Sequence, residues 1–101
     1  MKKIPETFKK YGYDFKLLKR LGGIALYEQS SKGVVYAYEV HKVRKMAMLY
    51  SKFTNAAGKI KVVNFPAMEK LASSSEFGMF GWSFQKKENA EIKFKELVHN
   101  D

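Results

Sequence analysis

The chain has no cysteine, and this removes disulfides, thiolate nucleophiles and cysteine-ligated zinc at once. Aspartate occurs only at Asp14 and Asp101, so a multi-carboxylate metal site for phosphoryl transfer would have to be built from glutamates. Histidine occurs only at His41 and His99, too few for a histidine cluster. The charged N-terminus is not followed by the apolar run of a signal peptide, and no segment approaches the ~20 apolar residues of a membrane span. A soluble, cytoplasmic protein with no membrane partner is the expectation. Gly22-Gly23 lacks the spacing and the lysine of a phosphate-cradling loop, and Ser73-Ser74-Ser75 lacks the glycine context of a hydrolase elbow. With no metal site and no cofactor motif in view, the chain reads as a binding protein and not an enzyme.

What is present is positive charge. The 19 basic and 10 acidic residues leave a formal charge of +9, which suits an anionic partner. Its distribution is uneven: no acidic side chain lies between Glu39 and Glu69, whereas Lys42, Arg44, Lys45, Lys52, Lys59 and Lys61 all do. A second basic cluster, Lys9, Lys10, Lys16, Lys19 and Arg20, is diluted by Asp14. Tyr11, Tyr13 and Tyr50 lie near these clusters and are candidates for stacking on bases.

The 101 residues, 46% of them apolar and 15% aromatic, suffice for one domain with its own core, residues 1–101. Pro5 suits the first position of a short N-terminal helix that ends before Gly12. From Phe15 a period-two pattern predicts a strand, broken at Leu18 and Lys19. Ile24–Gln29 predicts a second strand, Ser30–Gly33 a four-residue hairpin loop, and Gly33–Lys45 a central strand whose early part is core and whose late part is surface. On that strand Val34, Tyr36, Tyr38 and Val40 share one face, while Glu39 and His41 share the other.

Residues 46–53 and 59–63 flank the turn signal Asn55–Gly58 and predict a further hairpin with edge lysines. Pro66–Ala72 predicts a short helix, and the serines after it a capping loop. Phe80, Trp82 and Phe84 have strand spacing, with Gly78 and Gly81 admitting a close backbone. Ala90, Phe94, Leu97 and Val98 form the apolar stripe of a C-terminal helix with Glu88 near its start. The expected class is α+β: an antiparallel meander of about five strands, a C-terminal helix packed on one face, and the short N-terminal helix.

The segments Tyr38-Glu-Val-His-Lys-Val-Arg44, Glu76-Phe-Gly78 and Trp82-Ser-Phe84, followed by Ala90 and Phe94, resemble a group of small proteins encoded by phages and prophages. The resemblance covers most of the chain and implies action in a host cytoplasm, without implying an activity. The meander with its aromatic strand and terminal helix is also similar in architecture to WGR domains, which associate with nucleic acid. The Trp-Gly-Arg signature itself is absent, since Ser83 follows Gly81-Trp82.

Glu39 and His41 place a carboxylate and an imidazole two residues apart on one strand face. A nuclease of the Glu-x-Lys type needs glutamate two positions before lysine and a partner aspartate; here Lys42 is three positions on and the aspartate is missing. The pair is expected to be an ordinary hydrogen-bonded or ion-paired pair on the surface. The leading functional expectation is contact with nucleic acid or a nucleoprotein complex through Lys42, Arg44, Lys45, Lys52, Lys59 and Lys61. The alternative is an adaptor or inhibitor that engages an acidic protein surface on a host enzyme or defence complex, or a virion-associated structural protein. Self-association through strand edges or the apolar segment 46–50 is a further possibility.

Overall fold

The computed structural model describes residues 2–46, 49–54, 56–65 and 67–100, with the backbone alone for 49–53 and 61–65. In chain order the elements are β1 (Thr7–Lys10), β2 (Tyr13–Leu21), β3 (Ile24–Ser31), β4 (Val34–Lys42), β5 (Arg44–Met46), β6 (Leu49–Thr54), β7 (Ile60–Phe65), β8 (Met68–Lys70), a 3-10 turn (Ser74–Glu76), β9 (Gly81–Phe84) and α1 (Lys87–Asn100). Strands pair antiparallel in the order β1-β2-β3-β4-β9, and α1 packs on one face of this five-stranded sheet. The α+β class, the meander and the C-terminal helix are as the sequence predicts. No helix among the described residues is long and apolar enough to cross a membrane.

The N-terminal helix is not formed. Its residues make β1, joined to β2 by Tyr11-Gly12 with φ of 54° and 79°, positive at both central positions as a type I′ hairpin requires. Phe8 stacks on Phe15 across this ladder, ring centroids 4.7 Å apart. A helix of one or two turns offers no equivalent burial and carries the full cost of nucleation. The β3–β4 hairpin uses the same turn at Lys32-Gly33, φ 52° and 80°, so its loop has two residues instead of the expected four.

The break at Leu18 is a β-bulge. Leu17 pairs with Tyr27 and Lys19 with Leu26, so Leu18 is the extra residue, and the alternation resumes one step out of phase. Ordinary alternation sends Leu17 and Leu18 to opposite faces; the bulge then keeps Lys19 on the side of Leu18, over Phe94, and turns Arg20 to the side of Leu17, where Glu69 lies. Leu18 joins Ile24, Leu26, Val40, Ala90, Phe94 and Leu97 under the helix; Leu17 joins Ile4, Phe15, Ala25 and Tyr27 on the opposite face. Ile24, Ala25, Leu26 and Tyr27 are all buried, which makes β3 the central strand.

The burial gradient along Gly33–Lys45 runs opposite to expectation. Val34, Val35 and Tyr36 are 54%, 43% and 53% exposed, whereas Val40 and His41 are 0% and 2% exposed. The reason is tertiary: β9 pairs only with Tyr38–His41, so the early part of β4 extends past its neighbour. Apolar character alone cannot report how far along a strand its neighbours reach.

The fifth strand also differs from the expected one. The hairpin over residues 46–63 does not join the sheet edge; β6 and β7 form a separate two-stranded ribbon, and β1 takes the fifth place. The molecule measures 56 × 34 × 22 Å with a radius of gyration of 17.0 Å, against about 13 Å for a compact chain of this length. In place of the expected helix at 66–72 stands β8, which pairs with β5, while Lys2 bridges to Met68.

Glu69 of β8 is the clasp of this second layer. Its Oε1 and Oε2 each lie 2.6 Å from an Arg20 guanidinium nitrogen, and Oε1 also accepts from the Ile4 N–H at 3.1 Å. Arg20 and the Ile4 amide hold this buried carboxyl at about 2, below its usual range and against the opposing effect of burial. Because the folded state lowers the pKa, the stabilisation is complete above about pH 4.5 and is lost as pH falls toward 2. Glu69→Gln leaves a guanidinium unpaired that is only 26% exposed and is expected to cost roughly 3 kcal/mol at pH 7. Urea unfolding should also show a shallower fall of the midpoint between pH 4.5 and 2 in the variant than in the parent chain.

Candidate functional sites: an aromatic cleft and a basic ribbon

The sheet face away from α1 is only partly covered. Leu71, Ala72, Ser74 and Phe77, from the segment after β8, form one wall of a cleft, and β1 and β2 form the other through Phe8, Tyr11, Tyr13 and Phe15. The space between is about 430 Å³. Beneath it runs an edge-to-face aromatic layer: Phe8 on Tyr27 at 73°, Tyr27 on His41 at 88°, and His41 on Phe77 at 88°. The Tyr27 hydroxyl donates to the Pro5 carbonyl at 2.6 Å, and burial pushes its phenol up to about 12.

Glu39 and His41 line this cleft as the expected hydrogen-bonded pair, but one that is largely buried and not on the surface, because residues 71–77 pass over His41. The Ala72 N–H donates to His41 Nδ1 at 3.2 Å, which leaves the ring proton on Nε2 to be donated to Glu39 Oε1 at 2.9 Å. The imidazole thereby ties the cleft wall to β4 and orients the carboxylate. Glu39, at 15% side-chain exposure, is the acidic group lining the cleft, and Lys10 is the basic one. The sequence singled out Glu39 and His41 but could not place them beside aromatic residues from β1 and from 71–77.

The tyrosines named as stacking candidates separate. Tyr11 is 80% exposed at the rim of the cleft, with the Lys10 Nζ 5.3 Å from its ring centroid. Tyr13 is half-buried and packs edge-on against Tyr36 at 5.6 Å. The side chain of Tyr50 lies outside the described residues.

The six cations of the acid-free segment separate as well. Arg44 is a structural residue: its Nη2 lies 2.5 Å from Glu76 Oε2, and its guanidinium covers the Phe80 ring at 4.2 Å. Glu76 in turn accepts from the Ser73 N–H at 3.0 Å and the Ser73 hydroxyl at 2.8 Å. Those two bonds, with Arg44 added, hold its carboxyl at about 2. This is the capping loop expected at the serines, with an arginine latched onto it. Lys42 is half-buried, with Nζ 5.9 Å from the Trp82 ring centroid. Lys45 on β5 and Lys59 beside β7 are exposed. Lys52 pairs with Val62 and Lys61 with Phe53 along the ribbon, their side chains lying outside the described residues.

Gly81 explains how closely the cleft wall approaches β9. A Cβ there would sit 2.8 Å from the Ala72 Cβ and 3.1 Å from Phe77 Cε1, both too close. Gly81→Ala should therefore displace 72–77 and destabilise the fold by about 1–3 kcal/mol, measured by urea unfolding. Gly78, with φ of 96° and open space around it, serves the turn instead.

No protein-family model, curated protein or solved structure matches the chain.

Proposed function

We propose that the protein binds nucleic acid through the β6–β7 ribbon and its flanking lysines. The observation that carries this is the union of two facts: the segment between Glu39 and Glu69 holds no acid, and its hairpin forms a separate two-stranded sheet. A two-stranded ribbon has the width to enter the major groove of a duplex, and lysines along it can neutralise phosphates. The footprint is narrower than the sequence suggested. Lys45 on β5 and Lys52, Lys59 and Lys61 on or beside the ribbon carry it by their place in the acid-free segment, while Arg44 pairs with Glu76 and covers Phe80 and Lys42 packs beside Trp82.

A second reading, an adaptor for an acidic protein surface as a phage-type factor would be, draws on the exposed Val34, Val35 and Tyr36 at the β3–β4 hairpin. Recovery of a partner from lysate that persists through nuclease digestion separates it from the first.

For the nucleic-acid reading, neutralising about four phosphates on a duplex gives a slope of roughly −3.6 in log affinity against log salt. Changing Lys52, Lys59 and Lys61 together to alanine should flatten that slope by about 2.7. Arg44→Ala, in contrast, should lower the unfolding midpoint and leave the slope unchanged. A salt-independent affinity, or a triple variant that binds like the parent, sinks the ribbon footprint.

A further inference from the structure

We infer that the cleft between β1–β2 and residues 71–77 is a binding site for a guanine base, presented by a free nucleotide or by a single strand. The inference uses none of the ribbon residues and does not rest on the ribbon reading.

Size and lining come first. A space of about 430 Å³ falls within the roughly 300–1,000 Å³ range of small-ligand sites, and its walls are mainly aromatic and aliphatic. Unstacked bases are held in such places by stacking on aromatic rings and by hydrogen bonds to their edges. Tyr11 is the ring free to stack: it is 80% exposed at the rim, whereas Phe8 and Phe15 already stack on each other and Tyr13 packs on Tyr36.

The polar groups select the base. Glu39 enters the cleft with its carboxylate oriented by His41, whose Nε2–H is donated to Oε1. Because His41 Nδ1 is occupied by the Ala72 N–H, the imidazole is fixed in that sense and cannot swing to compete for a ligand. An ionised carboxylate has acceptor sites only, about four of them, so one bond from His41 leaves capacity for two further donors. Guanine offers two adjacent donors, N1–H and the N2 amino group, on one edge. Adenine sets a single amino group beside an acceptor nitrogen, and that nitrogen would face a carboxylate oxygen unfavourably. Lys10, at the same rim as Tyr11, supplies the positive charge for a phosphate.

The test is calorimetric titration of the full chain with GMP, with AMP, with inorganic phosphate, and with a thymidine oligonucleotide carrying one guanine. GMP should bind at least tenfold more tightly than AMP, and inorganic phosphate should show no saturable binding. Tighter binding of the oligonucleotide than of GMP assigns the base to a strand; equal or weaker binding assigns a free nucleotide. Glu39→Gln preserves volume but turns an acceptor into a donor and should lower GMP affinity tenfold or more, with circular dichroism confirming the fold. Tyr11→Ala, at an exposed position that cannot compromise the core, should lower it roughly tenfold. The Lys52, Lys59 and Lys61 triple variant should bind GMP like the parent. Absence of guanine binding by the folded chain, equal affinity for GMP and AMP, or undiminished affinity in both Glu39→Gln and Tyr11→Ala would overturn the assignment, as would loss of GMP binding in the ribbon variant.

Discussion

The bidentate pair between Arg20 and Glu69 is the constraint on which the open face of the sheet depends, because it joins β2 to a segment 49 residues further along. Glu69 also receives the Ile4 N–H, and its own N–H donates to the Lys2 carbonyl at 2.7 Å. One carboxylate thus gathers the N-terminal segment, the sheet and β8. Its desolvation is offset by three hydrogen bonds to its two oxygens, the condition under which a buried ion pair is tolerated. Where Glu69 is held, the chain that follows it must run over the sheet, and that run is the cleft wall.

From there the wall is secured at successive points by different chemistry. Ala72 is tied to His41 by a backbone hydrogen bond, the Ser73–Glu76 turn is latched by Arg44, and Phe77 packs against both His41 and Gly81. Each anchor uses a residue of β4, β5 or β9 that already serves the sheet. The cleft is therefore built on rigid elements, while β6 and β7 pair with each other in a sheet of their own. This small chain thus carries both a shaped cleft and a basic two-stranded ribbon.

β3 is buried on both faces through four consecutive residues. Ile24 and Leu26 face the helix, Ala25 and Tyr27 the second layer. The bulge at Leu18 puts Leu18 and Lys19 both on the helix side and so brings Arg20 to the second layer, where Glu69 meets it. On the helix side, Lys19 lies over the Phe94 ring at 4.7 Å and pairs with Glu91, fixing α1 to the bulged strand by its charged as well as its apolar face.

The sequence by itself determined the elements whose signal is local. Period two along Ile24–Gln29 and at Trp82 and Phe84, the stripe of Ala90, Phe94 and Leu97, the serine cap before Glu76, and the break at Leu18 all depend on neighbours within a few residues, and all appear in the fold. The Glu39–His41 pair was legible for the same reason, since two residues apart on one strand means one face. Only the tertiary structure decided that Thr7–Lys10 is strand and not helix, that the start of β4 is exposed and its end buried, and that Arg44 pairs with Glu76. Each of those outcomes rests on a contact between segments distant in sequence, Phe8 on Tyr27 of β3, β9 alongside Tyr38–His41, Glu76 beside β5. Propensity and periodicity carry no information about which distant segment arrives, and burial and pairing energies are decided by that arrival.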